Sequence, residues 1–247
     1  MSEAHFQMFI RELELEVGEG KEAVVRLDQQ YEGDTGAVVW DAALVLAKYL
    51  ETVRDTIAGK SVAELGSGTG AVGLAAAALG AGRVVLTDQQ EAVRFLEHNL
   101  ELNMELVTDT GSKVAVLPLQ WGNNQHIETV INLVDGFDMI LVSDCVFYKE
   151  SVEDLVETLH LMADKNTQII LSYEERDSQI KLDVMKLFFE KMKTYFIWSK
   201  VPHQKHHPDY QSPDIQIFKF NLTSTRVDDF LGQDLTALLQ NETSCPY

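Results

Sequence analysis

The sequence predicts an α/β fold built on a Rossmann-like, mostly parallel sheet, and three observations support this prediction. Strand-like and helix-like segments alternate through the middle of the chain at the spacing of βαβ units. The apolar strand 61–65 runs into glycines at alternate positions, Gly66, Gly68 and Gly70, directly before an Ala-rich helix. A second apolar strand ends in Asp88, roughly twenty residues further on, where a doubly wound sheet binds a ribose.

The individual elements follow in an order that fits such a sheet. Residues 9–17 and 23–27 alternate apolar and polar side chains around a Gly-Glu-Gly turn, which predicts an N-terminal β-hairpin. Residues 195–201 and 214–220 predict a closing pair of strands, one of them antiparallel to the rest of the sheet. Between these pairs the patterns predict helix 42–51, strand 61–65, helix 71–79, strand 83–87, helix 89–103, strands 113–117 and 137–143, helix 151–163, strand 167–172 and helix 179–193.

Length and composition predict one domain with a tail. The 247 residues are 45% apolar and 24% charged, as is usual for a globular chain. We expect residues 1–222 to form the domain and residues 223–247 to form an acidic, polar and poorly ordered tail, with one short helix at most, over 231–239. No signal peptide and no apolar run of about eighteen residues is present, so we expect a monomer in the cytoplasm or nucleus and no membrane contact.

The charge balance bears on the partner. A net charge of −19 disfavours nucleic acid, because Lys and Arg side chains must neutralise its phosphates. A basic partner, such as a protein surface that presents lysine, suits this charge better, although solubility alone explains it as well. The two cysteines, Cys145 and Cys245, do not indicate a disulfide framework.

Two cofactors compete for the glycine loop. Residues 66–71 also satisfy the dinucleotide pattern, with alanine in the last place, so an oxidoreductase remains an alternative. Glu64 favours S-adenosylmethionine, because a carboxylate at the end of the strand can hold the ammonium group of that cofactor. The same carboxylate would disfavour the pyrophosphate of a dinucleotide.

Further candidate residues follow successive strands, at the edge where open α/β sheets bind ligands. Trp121 follows the third strand of the sheet, Ser143 and Asp144 end the fourth, and Tyr173 follows the fifth. We expect Trp121 to cover an adenine, the Ser143 backbone to border the cofactor, and Asp144 to orient a nucleophile beside the sulfonium. Alone, Trp121 could be a core residue and Asp144 a helix cap. Their coincidence at one edge favours a site.

A set of eight short motifs carries a family resemblance. From the N-terminus they are Val38-Val-Trp40-Asp41-Ala-Ala, Lys48-Tyr-Leu-Glu51, Glu64-Leu-Gly-Ser-Gly-Thr-Gly-Ala-Val-Gly73-Leu, Thr87-Asp88, Trp121-Gly122, Asp144-Cys-Val-Phe-Tyr148, Tyr173-Glu-Glu-Arg176 and Asp214-Ile-Gln-Ile. In order and spacing they resemble the methyltransferase-like 21 group of seven-strand protein-lysine methyltransferases. The similarity covers roughly residues 6–220 and is far more specific than the glycine loop alone.

The resemblance implies a seven-strand class I methyltransferase fold with S-adenosylmethionine as donor. It implies that the acceptor is a lysine ε-amine on a folded protein, commonly a chaperone-type ATPase. The family's Asp-x-x-Tyr motif maps onto residues 144–147, where this chain carries Phe147 in place of tyrosine and has Tyr148 one step later. With Glu64 and Ser67 of the glycine loop added, the implied cofactor contacts are Trp40, Glu64, Gly66, Ser67, Gly68, Asp88, Trp121 and Ser143.

The chemistry of methyl transfer suits these residues. A direct displacement needs a neutral amine in line with the carbon–sulfur bond, so positioning supplies much of the rate. We expect Asp144 to orient the lysine head, and Phe147 and Tyr173 to flank the methylated ammonium as an aromatic wall. For Phe147 simple burial is an equal alternative, and Tyr148 is either a surface residue or a substitute for the missing hydroxyl. Arg176 either fixes the substrate loop through Glu174 or forms a solvated ion pair.

Three readings of the whole chain remain distinct. The favoured one is a protein-lysine methyltransferase, and the alternatives are a small-molecule methyltransferase and a non-catalytic adaptor that retains the fold. The presence of Glu64, Asp88 and Asp144 favours an active enzyme over an adaptor. A metal site is not expected, because the histidines of residues 203–207 lack a carboxylate at ligand spacing.

Overall fold

The computed structural model describes residues 8–30 and 35–223. Within them, nine strands and seven α-helices follow the order that the sequence predicts, with two added helices. The strands are β1 Met8–Gly18, β2 Lys21–Gln30, β3 Ser61–Leu65, β4 Arg83–Asp88, β5 Lys113–Pro118, β6 Met139–Ser143, β7 Gln168–Glu174, β8 Phe196–Lys200 and β9 Ile215–Leu222. The helices are α1 Asp41–Thr52, α2 Ala71–Ala78, α3 Val93–Leu102, α4 Met104–Thr110, α5 Asn124–Asn132, α6 Val152–Met162 and α7 Gln179–Met192.

The central sheet has seven strands in the order β5-β4-β3-β6-β7-β9-β8. Strands β3 to β7 are parallel, and β9 is inserted antiparallel between β7 and β8. The Rossmann-like fold class, the N-terminal hairpin and the antiparallel C-terminal strand are confirmed. The strand order reverses between β3 and β6, which places the binding crevice of the sheet at their carboxyl ends.

Each face of the sheet buries its own apolar cluster, as expected for a parallel sheet covered on both sides. Val62 of β3 faces a cluster formed with α1, α2 and the hairpin, whereas Ala63 and Leu65 face a second cluster formed with α5, α6 and α7. This alternation follows from the period of two along a strand. The two clusters hold β3 in the middle of the sheet. Its carboxyl end, and the glycine loop that follows, therefore lie at the crevice.

The hairpin β1–β2 forms its own two-stranded sheet and is attached to α3 by asparagines one helical turn apart. The Asn103 side chain accepts from the Arg26 N–H at 2.8 Å and donates to the Arg26 carbonyl at 2.7 Å. The Asn99 side chain accepts from the Asp28 N–H at 2.8 Å and donates to the Thr69 carbonyl at 3.0 Å. Asn99 therefore links the hairpin to the glycine loop.

Two helices depart from the sequence prediction. The helix predicted over 89–103 begins only at Val93, and Asn103 separates it from α4. Helix α5 was not predicted. Its signal is the side chain of Asn123, which caps the helix by accepting from the N–H groups of Gln125 and His126. The helix has too few apolar positions for a helical periodicity to be recognised in the sequence without that cap.

The tail expected over 223–247, with its short helix at 231–239, lies outside the described residues except at its first position. Among the helices that the structure describes, none has the length and apolar character required to cross a bilayer.

Candidate active site

A cavity of about 690 Å³ opens at the carboxyl ends of β3, β4 and β6, a volume within the range of small-molecule sites. Its lining combines the glycine loop, the ends of these strands and the segment before α1. Ten of the eleven residues singled out from the sequence line it: Trp40, Glu64, Gly66, Ser67, Gly68, Asp88, Trp121, Ser143, Asp144 and Phe147. The eleventh, Tyr173, does not.

Gly66 and Gly68 of the glycine loop are positions where a side chain does not fit. Gly66 has φ +65°, and a Cβ there would lie 2.6 Å from Cys145 Sγ and 3.3 Å from Cζ2 of the Trp121 ring. Gly68 has φ +53°, and a Cβ there would lie 2.8 Å from the Gly36 carbonyl oxygen. Both glycines therefore let other parts of the chain approach the loop closely, as a cofactor cradle requires.

Asp88 ends β4 with its carboxylate held by backbone donors. Its Oδ2 accepts from the Gly68 N–H at 2.7 Å, and its Oδ1 accepts from the Gln89 N–H at 2.7 Å. These bonds fix the carboxylate at the cavity wall, where the ribose-binding acid of a doubly wound sheet stands.

Glu64 lies at the end of β3 with only 2% of its surface exposed. Its Oε2 accepts from the Gly73 N–H on α2 at 3.0 Å. Burial raises the pKa of Glu64 from its ordinary value of 4.5 to about 8, against the smaller opposing effect of the Gly73 and Ser67 hydrogen bonds. A cation bound beside this carboxyl would favour its charged form, so the site is suited to an ammonium.

Ser67 lines the cavity, but its hydroxyl serves the loop itself. The hydroxyl donates to the Glu64 carbonyl at 3.2 Å and accepts from the Thr87 N–H at 3.0 Å. The side chain thus ties the glycine loop to β4. At the end of β6 a comparable bond joins two strands, since the Ser172 hydroxyl donates to the Ser143 hydroxyl oxygen at 3.2 Å.

Asp144 follows β6 in a left-handed backbone conformation, with φ +51°. Such angles are uncommon outside glycine and cluster at functional sites. The carboxylate is buried and does not cap α6, since it accepts instead from the Glu174 N–H at 3.4 Å and from Arg176. Arg176 approaches it with two nitrogens, Nη2 to Oδ2 at 2.5 Å and Nη1 to Oδ1 at 3.3 Å.

Arg176 connects three parts of the site. Besides Asp144 it donates to Glu174 Oε2 at 2.6 Å, and its guanidinium carbon lies 5.8 Å from the centre of the Trp40 ring. The hydrogen bonds to Asp144 raise the pKa of Arg176 above its usual value. The contact with Glu174 was among the sequence-based expectations, whereas the pair with Asp144 was not. The sequence did contain a signal for this pair, because Asp144 follows β6, Arg176 follows β7, and these two strands are neighbours in the sheet.

The mouth of the cavity carries two aromatic rings and an amine. Phe147 is half-buried and Tyr148 is 60% exposed, with their ring centres 4.5 Å apart. Lys181 of α7 donates to the Phe147 carbonyl at 2.9 Å, and its Nζ lies 5.4 Å from the Phe147 ring centre. The mouth therefore already accommodates one lysine ammonium.

Tyr173 does not line the cavity. It is 3% exposed and packs in the cluster under α6 and α7, and its hydroxyl has no hydrogen-bond partner among the described residues. Burial raises its pKa to about 12. Phe147 therefore pairs with Tyr148 and not with Tyr173, whose side chain lies in the apolar cluster formed with α6 and α7.

The histidines of residues 203–207 serve the junction beside α1. His207 Nε2 lies 3.3 Å from Glu51 Oε1, and His206 is buried with its Nε2 3.3 Å from the Val201 carbonyl. In the part of the chain that the structure describes, no three His, Cys, Asp or Glu side chains are arranged to hold a metal ion.

Comparison with known families identifies the family of this chain. A family model described as lysine methyltransferase matches residues 19–195, which include the glycine loop, Asp88, Asp144 and Lys181. The chain belongs to the lysine methyltransferase family. The enzyme is a protein-lysine N-methyltransferase with S-adenosylmethionine as its cofactor, and the resemblance to the methyltransferase-like 21 group is confirmed.

Two curated members of the family match over most of their length, and a third matches over less than half of its length. The protein N-lysine methyltransferase METTL21A of Mus musculus is 37% identical over 196 residues, which are 78% of this chain and 80% of that protein. The EEF1A lysine methyltransferase 3 of Xenopus tropicalis is 32% identical over 73% of this chain and 76% of that protein. The calmodulin-lysine N-methyltransferase of Arabidopsis thaliana is 36% identical over 52% of this chain and 41% of that protein.

Solved structures agree on the fold. A predicted O-methyltransferase of Agrobacterium tumefaciens, Atu636, aligns with a TM-score of 0.52 at 19% identity, over 75% of this chain and 83% of that one. A putative SAM-dependent methyltransferase of Streptococcus mutans aligns with a TM-score of 0.50 at 18% identity, over 81% of this chain. This chain spans about half of that second structure, 53% of its length.

Proposed function

We propose that this enzyme methylates the ε-amine of a lysine on a folded protein. The observation that carries the proposal is the mouth of the cavity, where the Phe147 and Tyr148 rings and a backbone carbonyl surround a lysine ammonium of the chain itself. A lysine from another protein, being a slender side chain with the same cation, suits the same surroundings. The net charge of −19 also favours a partner whose surface is basic.

Different residues of the cavity lining are proposed to bind the cofactor and to position the acceptor. The cofactor supplies a methyl group on a sulfonium, which an amine can displace directly. We propose that Glu64 binds the ammonium end, Asp88 binds the ribose, and Trp121 lies against the adenine, with Trp40, Gly66, Ser67, Gly68 and Ser143 completing the walls. The glycine loop excludes side chains so that this ligand can approach the backbone.

Asp144 is the proposed acceptor-side residue. Its carboxylate is buried at the end of β6 and already accepts hydrogen bonds from a cation, the Arg176 guanidinium. We propose that it accepts an N–H of the incoming amine and holds the nitrogen lone pair towards the methyl group, while Arg176 keeps the carboxylate in place. Phe147 and Tyr148 flank the methylated ammonium as it forms.

The substrate class can be narrowed within the family. The relatives named above act on EEF1A and on calmodulin according to their names, so the family serves several proteins. The motifs of this chain look most like those of the lysine methyltransferase of valosin-containing protein. We therefore propose a chaperone-type ATPase such as valosin-containing protein as the partner, with the enzyme acting as a monomer in the cytoplasm or nucleus.

A folded substrate is expected to be methylated far better than a short peptide with the same lysine. Exposed apolar side chains surround the mouth, with Val38, Trp40 and Tyr148 at 37%, 42% and 60% exposure, and contacts to them would position the amine. The test labels a cell lysate with radioactive methyl donor, locates the modified lysine by mass spectrometry, and compares the intact protein with its peptide. Equal kcat/KM for both would contradict the proposal, and purified valosin-containing protein tests the named partner directly.

Cofactor affinity is expected to rise with pH as Glu64 ionises. Because burial raises the Glu64 pKa to about 8, the folded protein holds a proton there that the cofactor ammonium would displace. By the same linkage, Glu64 lowers the stability of the cofactor-free protein as pH rises from 4.5 to about 8. Calorimetry in buffers of different ionisation enthalpy should show proton release on binding. Glu64→Gln should abolish that release, and its persistence would remove Glu64 from the ammonium site.

Asp88→Ala is expected to weaken cofactor binding by about 1–3 kcal/mol, the usual worth of hydrogen bonds to a charged acceptor. The variant loses the proposed ribose contact and the two backbone bonds that fix the end of the loop. Calorimetry measures the loss. Asp138→Ala is the matched control, because Asp138 also accepts from a backbone N–H, of Ser61, but lies at the opposite end of the sheet. Unchanged affinity in Asp88→Ala would contradict the assignment.

A further inference from the structure

The amine at the mouth of the cavity belongs to Lys181, in the first turn of α7. Its Nζ donates to the Phe147 carbonyl at 2.9 Å and lies 5.4 Å and 5.7 Å from the Phe147 and Tyr148 ring centres. Its neighbours on the same helix are held differently, because Lys186 and Lys191 each pair with a carboxylate, at 4.0 Å and 2.7 Å. Among the described residues no carboxylate lies within 4.0 Å of the Lys181 ammonium.

The surroundings of Lys181 are those of an acceptor. Two aromatic faces and a carbonyl oxygen are the groups that hold an alkylated ammonium, and the side chain borders the same cavity as Asp88 and Asp144. The four-carbon stem is flexible and no ion pair with a described residue restrains its end, so rotation about the stem can carry Nζ from the Phe147 carbonyl into the cavity. Lys181 and the cavity belong to one chain, so the amine can reach the cavity without a second molecule.

We propose that Lys181 is a methyl acceptor in cis, an automethylation site of this enzyme. The inference rests on the proposed function, because it uses the same mouth for the acceptor. Lys181 first loses a proton to solvent, and its neutral Nζ then attacks the methyl carbon. A carbon–nitrogen bond forms as the carbon–sulfur bond breaks, S-adenosylhomocysteine leaves, and the positive charge ends on the methylated nitrogen. No other reactant is needed. The methylated cation keeps its contacts with the two rings.

The experiment incubates the purified full-length chain with radioactive S-adenosylmethionine and no other protein. Intact mass and peptide mapping should show added methyl groups at Lys181. The rate per molecule should not change when the protein is diluted, because the reaction is intramolecular. Lys181→Arg, which keeps the charge but cannot be methylated in the same way, should remove the label. Lys186→Arg on the same helix is the matched control and should leave Lys181 labelled.

The other outcomes test this inference and the proposed function separately. Label at a different lysine, or a rate that rises with protein concentration, shows that Lys181 does not react in cis. A chain that methylates a lysate protein but leaves Lys181 unmodified contradicts this inference and leaves the proposed function standing. A chain that binds the cofactor but labels neither contradicts both. Label at Lys181 without any labelled lysate protein supports the inference and contradicts the proposed partner class.

Discussion

Asp144→Ala is expected to reduce methyl transfer at saturating cofactor by about a hundredfold or more, while cofactor affinity changes little. This is the range for losing a group that orients or deprotonates a nucleophile. The carboxylate lies between the Arg176 guanidinium and the Glu174 N–H, at the proposed acceptor side of the cavity, so its removal leaves the proposed cofactor contacts intact. Single-turnover rates on the identified substrate protein, with calorimetry of cofactor binding, separate the two effects.

A second variant is needed at Asp144, because alanine would strain the backbone there. Its φ of +51° is strained for alanine, whereas asparagine tolerates left-handed angles and matches the shape of aspartate. Asp144→Asn should therefore avoid the backbone strain of Asp144→Ala and still lose the charge that is proposed to hold the amine. Asp183→Asn, a change at an exposed carboxylate of α7, is the control and should transfer normally. Full turnover by Asp144→Asn would make Asp144 a structural partner of Arg176 and nothing more.

The pair with Arg176 sharpens this prediction. If the carboxylate matters only because it neutralises a partly buried guanidinium, Arg176→Ala should restore activity to Asp144→Ala, since no unpaired charge remains. If the carboxylate binds the amine, the double variant stays inactive. We expect the second result, because the lysine amine has no other anionic acceptor proposed at that end of the cavity.

The location of the site at one edge of the sheet could be predicted from the sequence, because parallel strands bring their carboxyl ends together. That rule alone placed Asp88, Trp121 and Asp144 near one another, and the cavity lining agrees. Tyr173 obeyed the same rule along the chain, but its side chain lies in the apolar cluster formed with α6 and α7 and does not line the cavity.

Contacts that depend on loop paths were beyond the sequence. The approach of Lys181 to the Phe147 carbonyl joins the start of α7 to the loop after β6, across 34 positions. The Asn99 and Asn103 bonds to the hairpin join residues more than seventy positions apart. Such pairs leave no periodic signal, because they depend on how two irregular segments meet and on side-chain rotamers.

Gly68→Ala is expected to lower cofactor affinity by roughly a hundredfold. The left-handed angle at φ +53° costs a side chain about 1–2 kcal/mol, and a Cβ would stand 2.8 Å from the Gly36 carbonyl oxygen, which is backbone and yields little. Crowding of this kind costs a further 1–3 kcal/mol or so. The loop can relieve both only by moving, and then the Gly68 N–H leaves Asp88 Oδ2 and the proposed ribose site is lost.

Gly111→Ala separates strain from crowding. Gly111 has φ +72°, as strained for alanine as Gly68, but a Cβ there would meet nothing within 4 Å. It should lower Tm modestly and leave cofactor binding unchanged, whereas Gly68→Ala should lose binding by calorimetry. If both variants bind alike, the contact with the turn at residues 35–37 does not shape the cofactor site. If Gly68→Ala alone fails, that turn holds the loop closed over Asp88, and the chain before α1 is part of the cofactor cradle.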